Sequence, residues 1–292
     1  MNVFTIRDIE NLCGIKAHTL RIWEQRYGLV RPKRKAGNHR MYDNEDLRYL
    51  LRIAYLYHYG YKISGIAELS EEEICRLTLD ISTNSEATGI YVNQLLEASM
   101  DFNQEQFDRI LHNIILHYGV EKSFTGVIFP FLQKIGLLWL TGHLIPAQEH
   151  FASTFIMKKL QVAINGLECA PLPGEKRVLL FTPKGELHEI PLLFMQYMLK
   201  KNKIPTVYFG CNIDLEELTY YCSYQPVSHL YFHLISKLIR CEPDKYISTL
   251  ASRFPDKQIV ASGLQAEVVR DSHPNLRILS GMEELMAFAC GK

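Results

Sequence analysis

The segment from Lys16 to Tyr42 constrains the fold more than any other part of this chain. It begins with the apolar spacing of a short helix, which ends at Gly28, and continues with a strongly basic run. Pro32 and the pair Gly37-Asn38 disfavour a helix over residues 29–42, so this part predicts a two-stranded hairpin. A helix can enter the major groove of a DNA duplex while a basic hairpin lies along the adjacent phosphates.

A second interpretation of the basic run is that its arginines and lysines only keep a loop in solvent. Three aromatic residues, Trp23, Tyr27 and Tyr42, are interleaved with the basic ones, which favours DNA. The charge distribution agrees. Residues 1–70 carry 12 Lys+Arg and 7 Asp+Glu, whereas the rest of the chain carries 20 and 25, although the whole has no net charge. Such asymmetry indicates a nucleic-acid-binding N-terminal part attached to something else.

Length and composition limit the remaining classes of protein. The chain has 292 residues, 47% of them hydrophobic, which predicts two or three domains, each with its own core. Its 7 cysteines form no Cys-x-x-Cys motif, as expected of reduced thiols in a cytosolic protein. The N-terminus does not resemble a signal peptide, and no apolar run reaches the roughly 18 residues needed to span a bilayer. We therefore expect a cytoplasmic protein without a membrane partner.

The N-terminal residues predict a helix-turn-helix. Thr5 and Asp8 are typical of a helix start, and a tight turn at Cys13–Ile15 leads to a second helix over 16–26. Leu20 and Trp23 are predicted to face the core of this domain, because they share one face of that helix. After the hairpin, Asp43 is the predicted cap of a third helix that ends near Tyr59, and a short helix follows from Ser64 to Leu69.

The sequence T-L-R-I-W-E-Q-R-Y-G-L at 19–29, followed by G-N-H-R-M-Y-D-N-E-D-L at 37–47, resembles the DNA-binding domain of the MerR family of transcriptional regulators. The resemblance implies a winged helix-turn-helix that acts as a dimer on palindromic promoter DNA. It also implies DNA contacts from residues of the second helix and the wing. These residues are Lys16, His18, Thr19, Arg21, Tyr27, Arg34, His39, Arg40 and Tyr42.

The rest of the chain predicts two further domains, and we place the boundaries at 1–72, 89–166 and 176–292. Residues 70–89 are acidic and then rich in Ser, Thr and Asn, which is typical of a connector. Residues 89–165 have helical periodicity almost throughout and predict a four-helix bundle. Beyond a Pro-rich linker at 167–175, short apolar strands alternate with helices. This alternation predicts a doubly wound, parallel, Rossmann-like sheet whose ligands lie beyond the carboxyl ends of the strands.

Trp139, Glu149 and His150 stand out in the predicted bundle. From the residues alone, Trp139 is a core residue and His150 a polar residue at a helix start. The spacing W-x9-E-H, however, is similar to a motif of photosensory MerR regulators that bind adenosylcobalamin. That resemblance implies that these three residues cover the upper face of the cofactor.

The loop after the first strand of the sheet contains Glu186 and His188. A neutral imidazole is a good ligand for cobalt, and a nearby carboxylate can set its tautomer. The loop is similar to the E-x-H-x-x-G motif of cobalamin-binding domains, which implies that His188 is the lower axial ligand. Pro191, His233 and Ser262, however, occupy positions where that family has small residues that make room for the cofactor's nucleotide tail.

Two functions fit these observations. The first is a DNA-binding regulator whose C-terminal half is a cobalamin-type sensor, acting as a homo-oligomer (a dimer or a tetramer). The second is a corrinoid-carrying subunit of a methyltransferase or mutase system. We favour the regulator, because the chain contains no constellation of nucleophile, base and orienting group, and we expect no enzymatic activity. The sequence leaves three states of the sensor open: it binds adenosylcobalamin, another ligand, or none.

Overall fold

The fold was examined in a computed structural model, which describes residues 4–13, 15–30, 32–35, 39–58, 60–81, 88–140, 144–167, 176–235, 242–267, 269 and 273–291. The chain divides into two compact units, Met1–Phe155 and Ile156–Lys292. None of the helices in these ranges is long and apolar enough to cross a membrane.

The first unit begins with a small sheet and helices that form the predicted winged helix-turn-helix, here called the head. In chain order, its elements are β1 (Phe4–Thr5), α1 (Ile6–Cys13), α2 (Ala17–Tyr27), β2 (Lys33–Lys35), β3 (His39–Tyr42), α3 (Asn44–His58) and α4 (Ile63–Ile66). The sheet has the order β1-β3-β2 with antiparallel pairing throughout. The predicted two-stranded hairpin is β2 and β3, and the third strand, β1, was not predicted. Gly14 of the predicted turn lies outside the described residues.

Local capping explains where the helices of the head begin and end. The Asp8 amide donates to Thr5 Oγ1 over 3.4 Å while the Thr5 amide donates to Asp8 Oδ2 over 2.7 Å, and the Asp46 amide donates to Asp43 Oδ1 over 3.1 Å. Gly28 adopts a left-handed conformation (φ 65°) and donates its amide to Glu24 O, which ends α2. Both predicted N-caps are therefore confirmed.

The prediction of a connector over residues 70–89 is wrong for most of its length. Glu71–Ile81 forms a helix, α5, which begins with a capping box between Ser70 and Glu73. Arg52 of α3 pairs with Glu71 at 3.5 Å, and Ile74 is completely buried. Acidic residues favour the first turn of a helix because its N-terminus carries a partial positive charge. The acidic run was thus a helix start. Residues 82–87 lie outside the described part.

A helical bundle follows in the first unit, as predicted. Its helices are α6 (Thr88–Met100), α7 (Gln104–Ser123), α8 (Phe129–Leu140) and α9 (Pro146–Asn165), with a π-helical turn at Phe124–Ile128 between α7 and α8. Phe107 lies at the centre of the aromatic core, with ring centroids 5.6–5.9 Å from those of Phe131, Phe151 and Phe155. The α9 helix runs across the division between the two units. A partly buried ion pair joins Arg52 of the head to Glu97 of α6.

The second unit is built on a parallel sheet, as predicted. Its strands are β4 (Val178–Pro183), β5 (Thr206–Ile213), β6 (His229–His233), β7 (Gln258–Ser262) and β8 (Leu276–Leu279), in the order β5-β4-β6-β7-β8. The helices between and after them are α10 (Ile190–Lys201), α11 (Leu215–Tyr224), α12 (Pro243–Arg253), α13 (Leu264–Glu267) and α14 (Gly281–Ala289). All residues of β4 are buried, because helices cover both faces of such a sheet. The sequence missed only α13, a single turn, among these described elements.

Gly263, directly after β7, provides a stability test. Its φ is +96°, and a Cβ added there would lie 2.5 Å from the carbonyl oxygen of Leu234. Gly281 also has a positive φ (+75°), but an added Cβ would have nothing within 4 Å. We expect Gly263→Ala to destabilise the second unit by roughly 2–4 kcal/mol, from backbone strain plus overpacking. Gly281→Ala should lower the stability by the backbone strain alone, about 1–2 kcal/mol.

Urea unfolding of the two variants and the unchanged protein measures this difference. Equal midpoints for Gly263→Ala and Gly281→Ala would show that the close approach to Leu234 does not contribute.

Candidate DNA interface and ligand site

The second helix of the head, α2, presents a polar face. Lys16, His18 and Arg21 are exposed and Thr19 is half-buried, whereas Leu20 and Trp23 are only 4% exposed. The Trp23 ring packs edge-on against Tyr57, with centroids 5.0 Å apart. The core assignment of Trp23 and Leu20 is confirmed. The polar face of α2 has the shape and chemistry for a major groove.

Glu24 connects α2 to the wing, and sequence reasoning missed it. Its carboxylate accepts from Arg40 of β3 in a close ion pair and from Arg34 of β2 over 3.4 Å. The Arg40 side chain is only 17% exposed, whereas that of Arg34 is 47% exposed. A lone carboxylate within a basic segment was the signal that could have revealed this link. Arg40 thus holds the wing against α2, and Arg34 is the better placed of the two to face a phosphate.

Two aromatic residues predicted as DNA contacts differ in their surroundings. Tyr42 is 2% exposed, and burial, followed by the charge of Glu24, raises the pKa of its hydroxyl to about 12. The predicted DNA contact of the Tyr42 side chain is therefore wrong, since Tyr42 pairs with Phe4 in the sheet and belongs to the core of the head. Tyr27 is half-buried, with the Arg26 guanidinium 5.9 Å from its ring centroid. His39 lies in β3, but its side chain is outside the described part.

The three predicted bundle residues lie on α8 and α9. Trp139 is in α8, and its side chain is outside the described part. Glu149 and His150 are in the first turn of α9, where His150 Nδ1 lies 3.0 Å from Glu149 Oε2. Ser153 Oγ donates to Glu149 Oε1 over 2.5 Å, and the His150 side chain is 75% exposed. Their role towards a cofactor stays a prediction.

Glu186 and His188 lie at the carboxyl edge of the sheet, in the loop after β4. Glu186 is completely buried, and its Oε1 accepts from the His188 amide over 3.0 Å and contacts His188 Nδ1 at 2.5 Å. The His188 side chain is 51% exposed. An imidazole whose Nδ1–H is held by a carboxylate presents Nε2 as the coordinating atom, and the carboxylate raises its basicity.

The loop that carries His188 is cross-linked to the neighbouring strand. Thr182 Oγ1 donates to the Glu186 carbonyl over 2.6 Å and accepts from the Asn212 amide over 3.1 Å. The Gly185 amide donates to Asn212 Oδ1 over 2.9 Å, and Lys184 Nζ pairs with Asp214 at 2.5 Å. These bonds fix the position of His188 before any ligand arrives, which lowers the entropic cost of binding.

A free metal ion and a corrinoid make different demands on this site. Zinc in a structural site takes four protein ligands, whereas a cobalt already bound by a macrocycle needs only axial ligands. Among the described residues, no three His, Cys, Asp or Glu side chains are grouped to hold a metal ion. His188 offers one half-exposed imidazole, which would suffice as a protein ligand to a corrinoid cobalt, and this role stays a prediction. The positions where the resemblance places the cofactor's nucleotide tail do not fit it. His233 and Ser262 occupy them, and both are buried and hydrogen-bonded to each other over 2.8 Å.

These elements define a winged helix-turn-helix DNA-binding protein that also carries a helical bundle and a Rossmann-like sheet. The family described as MerR HTH family regulatory protein matches residues 4–73, and the family described as B12 binding domain matches residues 91–164. The chain thus carries a MerR-type DNA-binding domain and a B12-binding domain, and it is a DNA-binding regulator of the MerR type. The predicted family, fold class and regulatory function are thus confirmed, and the corrinoid-subunit alternative is not favoured.

The relatives and solved structures that are similar to this chain include two repressors and a corrinoid protein. The HTH-type transcriptional repressor CarH of Myxococcus xanthus is 25% identical over 221 residues, which are 74% of this chain and 73% of CarH. The repressor CarA of the same organism is 31% identical over 198 residues, which are 67% of this chain and 64% of CarA, less than two thirds of that relative. Both names are those of transcriptional regulators, in agreement with a non-enzymatic role.

The monomethylamine corrinoid protein of Methanosarcina barkeri has a TM-score of 0.55 with 14% identity, over 70% of this chain and 99% of that one. This likeness shows the fold alone. The expectation that a cobalamin binds is supported instead by the matched B12-binding domain.

Proposed function

We propose that this regulator senses a corrinoid, and that His188 would hold the corrinoid's cobalt. The observation that carries the proposal is the pair of His188 with the completely buried Glu186, 2.5 Å apart, at the carboxyl edge of the sheet. Ligands of open parallel sheets bind at this edge. Adenosylcobalamin, which the sequence motifs imply, is the first member of the class to test.

The roles of the protein's own residues follow from the geometry. Glu186 holds the proton on His188 Nδ1 and thereby directs Nε2 outwards. Thr182 and Asn212 keep the loop in place through the bonds described above. Leu187, beside His188, is 72% exposed, and Leu264, after β7, is 67% exposed. Exposed apolar side chains at the edge of a ligand site suit the flat, largely apolar face of a macrocycle. When bound, a corrinoid supplies a cobalt centre and strong visible absorption.

Absorption spectroscopy tests the proposal. The full chain is incubated in the dark with adenosylcobalamin or adenosylcobinamide, freed of unbound ligand, and its visible spectrum is recorded. We expect at least one of the two to stay bound, with a spectrum that changes in His188→Ala. His273→Ala is the matched control, because His273 precedes β8 at the opposite edge of the sheet and hydrogen-bonds Ser248 over 3.1 Å. Retention of neither compound would refute the proposal.

We also propose that the regulator binds DNA as a homo-oligomer. A winged head of this size reads one half-site, so a palindromic operator requires two copies. Sedimentation of the full chain with a duplex from upstream of its own gene, with and without the corrinoid, measures the number of chains per duplex. We expect two or four chains, and a change in the bound fraction when the corrinoid is present. One chain per specific duplex under both conditions would contradict this expectation.

A further inference from the structure

The ends of β4 and β6 mark the place where a ligand would enter this sheet. The chain goes from β4 to β5 on one side and then returns to β6 on the other, so the strand order reverses between β4 and β6. In open parallel sheets, a crevice forms at such a switch point and takes the buried part of a ligand. Whether this crevice is open decides how deeply a ligand of His188 can enter.

Glu186 closes the crevice between β4 and β6. Its Oε1 contacts His188, and its Oε2 accepts from the backbone amide of Ile235, just beyond β6, over 2.8 Å. The carboxylate is thus engaged on both sides and completely buried. An incoming group would have to break this bridge, which would leave a buried amide or carboxylate without its hydrogen bond.

The ends of β6 and β7 are closed as well. Ser262 is completely buried, and its Oγ lies 2.8 Å from His233 Nδ1 and 2.7 Å from the Tyr231 hydroxyl. Tyr231 in turn stacks on Phe288, with ring centroids 5.8 Å apart and planes 15° from parallel. The backbone around Gly263 is so close to Leu234 that not even a methyl group would fit. Among the described residues, side chains and backbone therefore pack against one another at the ends of β6 and β7.

Cobalamin consists of a flat corrin ring and a bulky benzimidazole nucleotide, which hangs from the ring and whose base coordinates the lower face of the cobalt. For His188 to take that position, the base must leave the cobalt and find another place. A benzimidazole nucleotide would need a cavity on the order of 300 Å³. Since the ends of β4, β6 and β7 are packed, the displaced nucleotide stays in solvent. Because the nucleotide is not buried, no burial energy offsets the free energy needed to displace its base from the cobalt.

We propose that this site holds a corrinoid by its ring alone, with any nucleotide outside the sheet, and that it prefers corrinoids that lack the lower nucleotide. This inference rests on the proposed function, because it assumes that His188 binds a corrinoid. It names the class of ligand: complete cobalamins must give up their own lower base, whereas cobinamides offer an open axial position to His188.

Equilibrium titrations of the full chain with adenosylcobinamide and adenosylcobalamin test the preference. We expect the unchanged protein to bind adenosylcobinamide roughly tenfold to hundredfold more tightly, the range expected when a group cannot be accommodated in a packed interior. In His188→Ala the two affinities should become similar, because no side chain then competes with the nucleotide base. His273→Ala should keep the preference.

Two variants test the closed crevice itself. His233→Ser and Ser262→Gly each shorten a side chain beneath His188, and either should raise the affinity for adenosylcobalamin while leaving that for adenosylcobinamide unchanged within about threefold. Circular dichroism verifies that each variant is folded. The comparison of the two corrinoids in the unchanged protein does not depend on these variants. Equal or tighter binding of adenosylcobalamin by the unchanged protein would overturn the inference and leave the proposed function intact. Binding of neither compound would overturn both.

Discussion

Arg21→Ala is expected to weaken binding to the operator about tenfold and to reduce the slope of log affinity against log salt by about one unit, without lowering stability. Arg21 is an exposed residue of α2, next to Thr19 and His18 on the polar face of the helix. A phosphate contact releases counterions, so its loss reduces binding to all sequences and makes the remaining binding less sensitive to salt. Fluorescence anisotropy at several salt concentrations measures both effects.

Arg109→Ala is the matched control, since it removes the same charge from an exposed position on α7 of the bundle. It should leave the affinity and the salt slope unchanged. Identical salt slopes for Arg21→Ala and the unchanged protein would remove Arg21 from the interface.

Arg40→Ala should behave differently, because Arg40 is largely buried against Glu24. Its removal leaves the Glu24 carboxylate with Arg34 as its partner in the wing, so we expect a loss of stability of about 1–3 kcal/mol as well as weaker DNA binding. Unfolding and binding measured on the same two variants separate a phosphate contact from a residue that positions the wing. If Arg40→Ala abolished DNA binding without lowering stability, Arg40 would instead contact the DNA directly.

The second unit is expected to lose stability in mild acid because of His233. Burial lowers the pKa of His233 to about 4 from its usual value of 6.5, opposed by the charge of Glu186 and assisted by that of His188. The folded imidazole therefore stays neutral where the unfolded one takes up a proton. Between pH 6.5 and pH 4 the unfolded state binds more protons, so stability is full above pH 6.5 and falls as the pH drops towards 4.

For one group with these values, the loss between pH 7 and pH 5 is about 2 kcal/mol. His233→Gln removes the titrating group and retains an amide that can hydrogen-bond Ser262, so this variant should lose about 2 kcal/mol less over the same range. Urea unfolding at pH 7 and pH 5 measures the difference, and His273→Gln serves as the control. The same loss of stability in His233→Gln as in the unchanged protein would show that another group causes the acid sensitivity.

The candidate sites followed from the sequence to different extents. Glu186 and His188 were singled out because their loop is similar to a cobalamin-binding motif, and two residues so close together in the chain also lie close together in space. Glu24 was missed, since its partners, Arg34 and Arg40, are 10 and 16 residues away and are reached only when the wing folds back on α2. Tyr42 was misassigned for a related reason. Its position in the wing is local information, but its burial against Phe4 is decided by a strand at the other end of the head.

Residues close together in the chain determined the elements of this protein. Capping residues such as Thr5 and Asp43, Gly28 at the end of α2, and the alternation of apolar strands with helices act over a few residues, so the winged head, the bundle and the parallel sheet could be predicted from the sequence. The acidic start of α5 carried the same kind of signal and was misread.

Only the tertiary structure decided what fills the space beneath His188. Glu186 meets Ile235 across 49 residues, and His233 meets Ser262 across 29. The sequence showed that bulky residues stand at these positions, but a bulky residue can point into a crevice or away from it. Parallel strands bring their carboxyl ends together only after the sheet has formed, and the hydrogen bonds made there close the crevice and leave His188 at the surface.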